Sequence, residues 1–150
     1  MSTRCNLAVM GSTGSIGVNT LDVVARHPDR YRIVALTAFR RDEVLYEQCV
    51  RFQPAYAVLM DEAAAERLSQ RVAGAGLGVK VLCGAAALEQ VAALPEVDTV
   101  MAAIVGAAGL NSTLAAARAG KRILLANKET LVMAGRLFME TLSRHSATML

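Results

Sequence analysis

The fold is decided between residues 6 and 17, Asn6-Leu7-Ala8-Val9-Met10-Gly11-Ser12-Thr13-Gly14-Ser15-Ile16-Gly17. The apolar run at its start predicts a short buried strand, and the helical period from Ser15 to His27 predicts a helix directly after the glycines. Gly11 permits a tight turn, Gly14 lets the backbone approach a diphosphate, and Gly17 allows the helix to pack against the strand. The amides and the positive dipole end of the helix would then face the phosphates, with Thr13 and Ser15 as further donors. The alternative is a tight turn without a ligand.

Strand and helix patterns alternate along the rest of the chain. Strands are predicted at 32–38, 56–59, 80–82, 97–103 and 122–126, and helices at 42–52, 61–72, 85–93, 110–119 and 130–144. This alternation predicts an α/β fold, a Rossmann-like doubly wound and mainly parallel sheet with helices on both faces. A last strand begins at Thr148, so we expect residues 1–150 to be one domain of a longer chain.

Composition limits the possible functions. Hydrophobic residues make up 54% of the chain and charged residues 19%, which favours a folded domain over disorder. The net charge of +3 is small and dispersed, so no nucleic-acid partner is predicted. The apolar run from Val100 to Leu110 is shorter than the about 20 residues that span a bilayer, and no signal peptide is evident. We therefore predict no membrane partner and a cytoplasmic location.

The sequence contains no pattern typical of a zinc site or a disulfide framework. Its three cysteines, Cys5, Cys49 and Cys83, are widely spaced, and neither histidine has a partner at ligand spacing. Reduced thiols are the simplest interpretation.

Two arginines follow the second predicted strand. An NAD-specific fold usually has an acid there to hold the ribose 2′-hydroxyl, but this chain has Phe39-Arg40-Arg41 and no acid before Asp42. Because guanidinium groups suit phosphate, Arg40 and Arg41 predict NADPH over NADH. A solvated pair at a helix start is the alternative.

Two further segments end strands at the predicted ligand crevice. The small residues of Ala102-Ala103-Ile104-Val105-Gly106-Ala107-Ala108-Gly109 leave room for a nicotinamide ring, with Ala103 as the assigned contact, although a tightly packed crossover explains them equally well. In Asn127-Lys128-Glu129-Thr130, helix capping accounts for Asn127 and Glu129. Lys128 is left as a candidate ligand for an oxygen-rich or phosphorylated substrate.

Three segments in this order resemble the 1-deoxy-D-xylulose-5-phosphate reductoisomerase family. They are the glycine loop with Asn19-Thr20-Leu21-Asp22-Val23-Val24, the segment 101–110, and Leu125-Ala126-Asn127-Lys128-Glu129-Thr130-Leu131-Val132. The resemblance implies an NADPH-dependent enzyme of non-mevalonate isoprenoid synthesis. It would convert 1-deoxy-D-xylulose 5-phosphate, a phosphosugar, to 2-C-methyl-D-erythritol 4-phosphate with a divalent cation, Mg²⁺ or Mn²⁺. Family members are usually homodimers and the target of fosmidomycin.

The resemblance also implies roles for single residues. Thr13, Gly14, Ser15 and Ile16 would hold the cofactor phosphates, Asn127 and Glu129 would contact the cofactor, and Lys128 the substrate. The chain departs from the family's Ala-Gly-Lys/Arg-Asn at Ala38-Phe39-Arg40-Arg41, which leaves the adenosine-side contacts open. The family's acidic metal-binding motif would follow Leu150, so we expect this chain to have no catalytic residues and no turnover by itself.

Three other kinds of protein share part of this pattern or suit its length. A non-catalytic nucleotide-binding module would fit if 150 residues were the natural length. A semialdehyde dehydrogenase shares the glycine spacing but requires a nucleophilic cysteine near the nicotinamide. A short-chain dehydrogenase is disfavoured because no Tyr-x-x-x-Lys occurs.

Overall fold

The structure is a computed structural model, and it describes residues 4–126, 136, 139–145 and 147–149. Within these residues strands and helices alternate as predicted. The elements are β1 (Cys5–Met10), α1 (Ser15–Arg26), β2 (Tyr31–Ala38), α2 (Asp42–Phe52), β3 (Tyr56–Leu59), α3 (Glu62–Gly74), β4 (Lys80–Cys83), α4 (Ala85–Ala92), β5 (Thr99–Ala102), α5 (Gly106–Arg118), β6 (Arg122–Leu125) and β7 (Thr148–Met149). Residues 139–144 are helical.

The strands form one sheet in the order β4-β3-β2-β1-β5-β6-β7. All six strand pairings are parallel. The chain therefore builds outward from β1 in one direction as far as β4, returns through α4, and builds in the other direction from β5. The reversal places the switch point of the sheet between β1 and β5, where ligands bind in open α/β folds.

Helices cover both faces of the sheet because side chains alternate along β1. Leu7 and Val9 pack with residues of α1, α2 and α3 in one apolar core. Ala8 and Met10 pack with residues of α4 and α5 in a second core on the opposite face. All four β1 residues are at most 3% exposed, as expected for a central parallel strand. The predicted doubly wound α/β class is confirmed.

Two predicted boundaries at the switch point were wrong. Strand β5 covers only Thr99–Ala102, not 97–103, and α5 begins at Gly106 rather than at residue 110. The apolar Ala/Gly run has no period that separates a strand from a helix, so its composition could not place the turn. The position of the turn is set by a close backbone packing contact. A Cβ on Gly109 would lie 2.1 Å from the Ile104 carbonyl oxygen, so the first turn of α5 packs directly on the segment that follows β5.

Candidate functional site

The carboxyl ends of β1 and β5 meet closely at the switch point. The Ala103 amide donates to the Met10 carbonyl at 3.0 Å. Gly11 has a φ of +85°, and a Cβ there would lie 2.9 Å from the Ala103 carbonyl oxygen. A side chain at Gly11 would therefore be strained and would collide with the neighbouring strand. The tight turn predicted at Gly11 is confirmed, and its cause is the approach of β5.

The other two glycines of the loop differ in what they permit. A Cβ on Gly17 would lie 2.2 Å from the Gly11 carbonyl oxygen and 2.5 Å from the Ser12 Cα, so α1 can rest on the loop only at glycine. A Cβ on Gly14 would meet only the Gly11 carbonyl oxygen, at 3.8 Å. The protein's own packing therefore demands Gly17 but leaves open space beside Gly14.

Residues outside the glycine motif hold the loop in place. Thr37, in β2, accepts from the Gly11 amide through Oγ1 at 2.9 Å and from the Ser12 amide through its carbonyl at 2.8 Å. Gln48, in α2, accepts from the Ser12 hydroxyl at 2.7 Å and donates to the Ser12 carbonyl at 2.9 Å. The sequence did not predict these positioning residues, because Thr37 and Gln48 lie far from Ser12 along the chain and no motif links them to it.

A row of amides remains for a ligand. The backbone N–H groups of Thr13, Ser15, Ile16 and Gly17 have no acceptor among the described residues. The N-cap of α1 is Gly14, which has no side chain to cap these amides. Ser15 and Ile16 are exposed, Ile16 to 45%. The first turn of α1 therefore presents unpaired donors and the positive end of its dipole, which together suit an anion.

The arginine pair lies beside this row of donors. Nη1 of Arg41 donates to the Thr13 carbonyl at 3.0 Å, so the guanidinium lies against the glycine loop. Arg41 is also the N-cap of α2, and Arg40 precedes it with an exposed side chain. The fold thus brings the Arg41 guanidinium to the glycine loop from the end of a strand adjacent to β1, with the exposed Arg40 preceding it in the chain.

Asp42, the first acid after the pair, is turned away from the crevice. Its carboxylate accepts two bonds from Arg67 of α3, at 3.2 Å from Nε and 3.0 Å from Nη2. Those hydrogen bonds lower the pKa of Asp42, and the charge of Arg67 acts in the same direction against the opposing effect of burial. The carboxylate that could otherwise hold a ribose 2′-hydroxyl instead joins α2 to α3.

The Asp42–Arg67 pair predicts a pH dependence of stability. The pKa of Asp42 is lower in the folded chain than in the unfolded chain, where it is about 3.9, so the pair stabilises the fold fully above about pH 3.9. This stabilisation is lost as pH falls through the pKa of Asp42 in the folded chain. We expect Asp42→Asn to lower the free energy of unfolding most near neutral pH, with a difference from the wild type that shrinks below about pH 4. Urea denaturation at several pH values measures it.

The control for that experiment is Asp29→Asn, at an exposed aspartate for which the structure shows no ion pair among the described residues. Its effect should be small at every pH. A difference between wild type and Asp42→Asn that stays constant from neutral to acid pH would contradict the assignment.

A cleft of about 480 Å³ runs along the carboxyl ends of these strands. Its lining residues come from the glycine loop, from the ends of β2, β3 and β5 and from α4: Gly11, Thr13, Gly14, Ala38, Phe39, Met60, Leu88, Ala103, Ile104 and Val105. Phe39 is 63% exposed and Val105 70%, although both are apolar. A larger hollow of about 760 Å³ lies near Cys5 and Arg122, at the opposite edge of the sheet. It is lined by neither the glycine loop nor the pair Arg40 and Arg41.

The small residues after β5 play a different part from the one predicted. Ala103 lines the cleft and stays a predicted cofactor contact. Gly106–Gly109 belong to the first turn of α5 rather than to the end of a strand, and the room for a nicotinamide ring beside this segment stays a prediction. Asn127, Lys128 and Glu129 lie outside the described residues, and their predicted contacts stay predictions.

The cysteines do not supply a nucleophile at the switch point. Cys49 is fully buried, and burial raises the pKa of its thiol to about 12. Cys5 lies at the amino end of β1, and burial raises its pKa. Cys83 is exposed but ends β4, the strand at the far edge of the sheet. This arrangement disfavours the semialdehyde dehydrogenase alternative, which requires a thiolate beside the nicotinamide.

Among the described residues, no group of three or more His, Cys, Asp or Glu side chains could hold a metal ion. The described part of the chain therefore has no site for the divalent cation that the family resemblance implies, and no metal chemistry is assigned to it. No helix in that part is long and apolar enough to cross a membrane.

The parallel sheet, its switch point and the glycine turn define a Rossmann-type domain. The family model for 1-deoxy-D-xylulose 5-phosphate reductoisomerase matches residues 7–135. The chain belongs to this family, and the resemblance found in the sequence is confirmed.

Relatives match this chain over its whole length. A 1-deoxy-D-xylulose 5-phosphate reductoisomerase of Nitrosomonas europaea is 63% identical over 150 residues, which are all of this chain and 36% of that protein. The chain therefore spans about a third of the length of the curated relatives that it matches.

Solved structures of the family share the fold. The reductoisomerase of Zymomonas mobilis in complex with NADPH has a TM-score of 0.93 at 43% identity, covering 100% of this chain and 39% of that one. A reductoisomerase in complex with NADPH, fosmidomycin and magnesium has a TM-score of 0.93 at 52% identity, covering 97% of this chain and 35% of that one.

Proposed function

We propose that this chain is the NADPH-binding domain of a 1-deoxy-D-xylulose 5-phosphate reductoisomerase. The observation that carries the proposal is the group of unpaired amides of Thr13, Ser15, Ile16 and Gly17 beside the guanidinium of Arg41. These amides would bind the cofactor diphosphate at the end of α1, and Arg40 and Arg41 would bind the ribose 2′-phosphate. The family membership and the relatives solved with NADPH support the same cofactor.

In the whole protein, NADPH would supply a hydride for the reduction of a phosphosugar carbonyl. The residues of this chain would bind and orient the cofactor: the loop holds the diphosphate, and Ala103 lies near the nicotinamide side of the cleft. The product would be 2-C-methyl-D-erythritol 4-phosphate, as the family implies. Lys128 as a substrate ligand, Asn127 and Glu129 as cofactor contacts, a homodimeric assembly and a cytoplasmic location belong to this proposal.

The described residues offer no cluster that would hold the divalent cation implied by the family. One relative was solved with magnesium, whereas the described residues here contain no ligand cluster. We therefore propose that the 150-residue chain binds NADPH and has no reductoisomerase turnover by itself.

Titration calorimetry of the 150-residue chain tests both parts. We expect one NADPH bound per chain, with NADH bound more weakly, and no oxidation of NADPH when 1-deoxy-D-xylulose 5-phosphate and Mg²⁺ are added. Absence of NADPH binding by a folded chain would refute the proposed cofactor site, and steady NADPH oxidation would refute the lack of turnover.

Gly14 separates a ligand-binding role from a packing role. Because a Cβ there meets only one atom, at 3.8 Å, Gly14→Ala should leave the free energy of unfolding nearly unchanged. The same methyl group would stand where the diphosphate approaches the loop, so we expect the NADPH dissociation constant to rise by about tenfold or more, equivalent to about 1.4 kcal/mol. Calorimetry and urea denaturation measure the two effects. Unchanged NADPH affinity would place the diphosphate elsewhere.

A further inference from the structure

Phe39 is the feature of the cleft that the proposed phosphate contacts leave unexplained. The chain has three Phe and no Trp, yet this Phe is 63% exposed. Its backbone is fixed, because its carbonyl accepts from the Asp61 amide at 2.9 Å and so joins the residue after β2 to the N-cap residue of α3. The backbone that carries the aromatic ring is therefore held in place, and the side chain is left largely open to solvent.

The surroundings of the ring form one end of the cleft. Met60 and Leu88 line this end with apolar surface, and Thr13 and Gly14 of the glycine loop line the same cleft. Arg40 and Arg41 follow Phe39 directly, and Arg41 is bonded to the Thr13 carbonyl. Phe39 thus lines one cleft with Thr13 and Gly14 of the glycine loop, and the guanidinium of Arg41, two residues later, is bonded to the same loop.

A ligand held by these groups would place a flat ring there. If the arginines bind a phosphate on the adenosine ribose, the base attached to that ribose is the group nearest to Phe39. Purine bases stack on aromatic side chains, and stacking removes exposed apolar surface of both partners from water. We propose that Phe39 is a specificity-determining residue that stacks on the adenine ring of NADPH. This inference rests on the proposed function, because it needs the cofactor in this cleft.

The experiment compares two probes, NADPH and adenosine 2′,5′-bisphosphate, on the full 150-residue chain. Phe39→Leu keeps an apolar side chain but lacks the aromatic face, and we expect it to weaken both probes by about tenfold. Phe39→Trp should retain the wild-type affinities. The matched control is Val50→Ala, at a 46% exposed residue of α2 that does not line the cleft, and it should change neither affinity.

A spectroscopic signature separates stacking from a structural role. On binding to the wild type, the adenine H2 and H8 protons of the bisphosphate should shift upfield through the ring current of Phe39. The shift should be absent in Phe39→Leu, while the thermal unfolding midpoint of that variant stays at the wild-type value.

The outcomes are distinguishable. If the wild type binds NADPH and Phe39→Leu binds both probes equally well, with the same adenine shifts, Phe39 does not stack on the base and the proposed cofactor site stands. If the folded wild type binds neither probe, the proposed function fails and the inference fails with it.

Discussion

Replacement of Arg40 and Arg41 by glutamine is expected to remove the preference for NADPH over NADH. Both arginines are exposed at the end of β2, and Arg41 lies against the glycine loop through its 3.0 Å bond to the Thr13 carbonyl. Hydrogen bonds to charged groups contribute about 1.5–3 kcal/mol, so loss of both guanidinium groups should weaken NADPH binding by about a hundredfold. NADH lacks the 2′-phosphate, and its affinity should change little.

The size of each contribution can be separated with single variants. Arg41→Lys keeps the charge but loses the planar fork, so we expect it to bind NADPH with an affinity between those of the wild type and Arg41→Gln. Higher salt should weaken NADPH binding to the wild type more than NADH binding, because charge attraction at an exposed site is screened.

Arg32→Gln is the matched control for the arginine pair. Arg32 is an exposed arginine of the same strand, β2, at its opposite end. Calorimetric titrations of this variant should give the wild-type ratio of NADPH to NADH affinity. If the double variant also keeps that ratio, the arginine pair is only a solvated helix start, which was the alternative left open by the sequence.

Gly17→Ala is expected to be the most destabilising single methyl group in the glycine loop. The added Cβ would lie 2.2 Å from the Gly11 carbonyl oxygen and 2.8 Å from the Ser12 carbonyl carbon, both of them backbone atoms. Relief requires α1 to move away from the loop, against Leu21 and Val24 packed in the core. We expect the free energy of unfolding to fall by about 3 kcal/mol.

Urea denaturation measures this loss, and Gly14→Ala is its control because it adds the same methyl group three residues earlier in open space. NADPH binding should weaken in both variants for different reasons: Gly17→Ala displaces the helix that carries the amides, and Gly14→Ala obstructs the ligand. A Gly17→Ala chain with the wild-type denaturation midpoint would contradict the described packing of α1 on the loop.

The Gly17 variant and the arginine variants test different parts of the same site. Gly17 fixes where α1 begins, and with it the direction in which the unpaired amides point. The arginines come from β2, the neighbouring strand, and reach the loop only because β2 pairs with β1 along Cys5 to Val9. The proposed preference for NADPH therefore depends on the pairing of these two strands as well as on the residues themselves.

Thr37 and Gln48 show why the loop could not be understood from its own residues. Ser12 is fully buried, and its amide, carbonyl and hydroxyl are all bonded to these two residues. Both lie in later elements, so no spacing within the glycine motif predicts them. These contacts use the Gly11 and Ser12 amides and leave those of Thr13, Ser15, Ile16 and Gly17 for a ligand.

The sequence by itself determined the order of strands and helices, the glycine turn after β1 and the cations after β2. These features are local: hydrophobic period, glycine spacing and charge are properties of neighbouring residues. Only the tertiary structure decided that α5 begins at Gly106 and that Asp42 bonds to Arg67, whereas the packing role of Gly17 was predicted from the glycine spacing and is confirmed. The start of α5 and the bonds between Asp42 and Arg67 depend on distances between particular atoms of the folded chain, which a pattern of residue types does not specify.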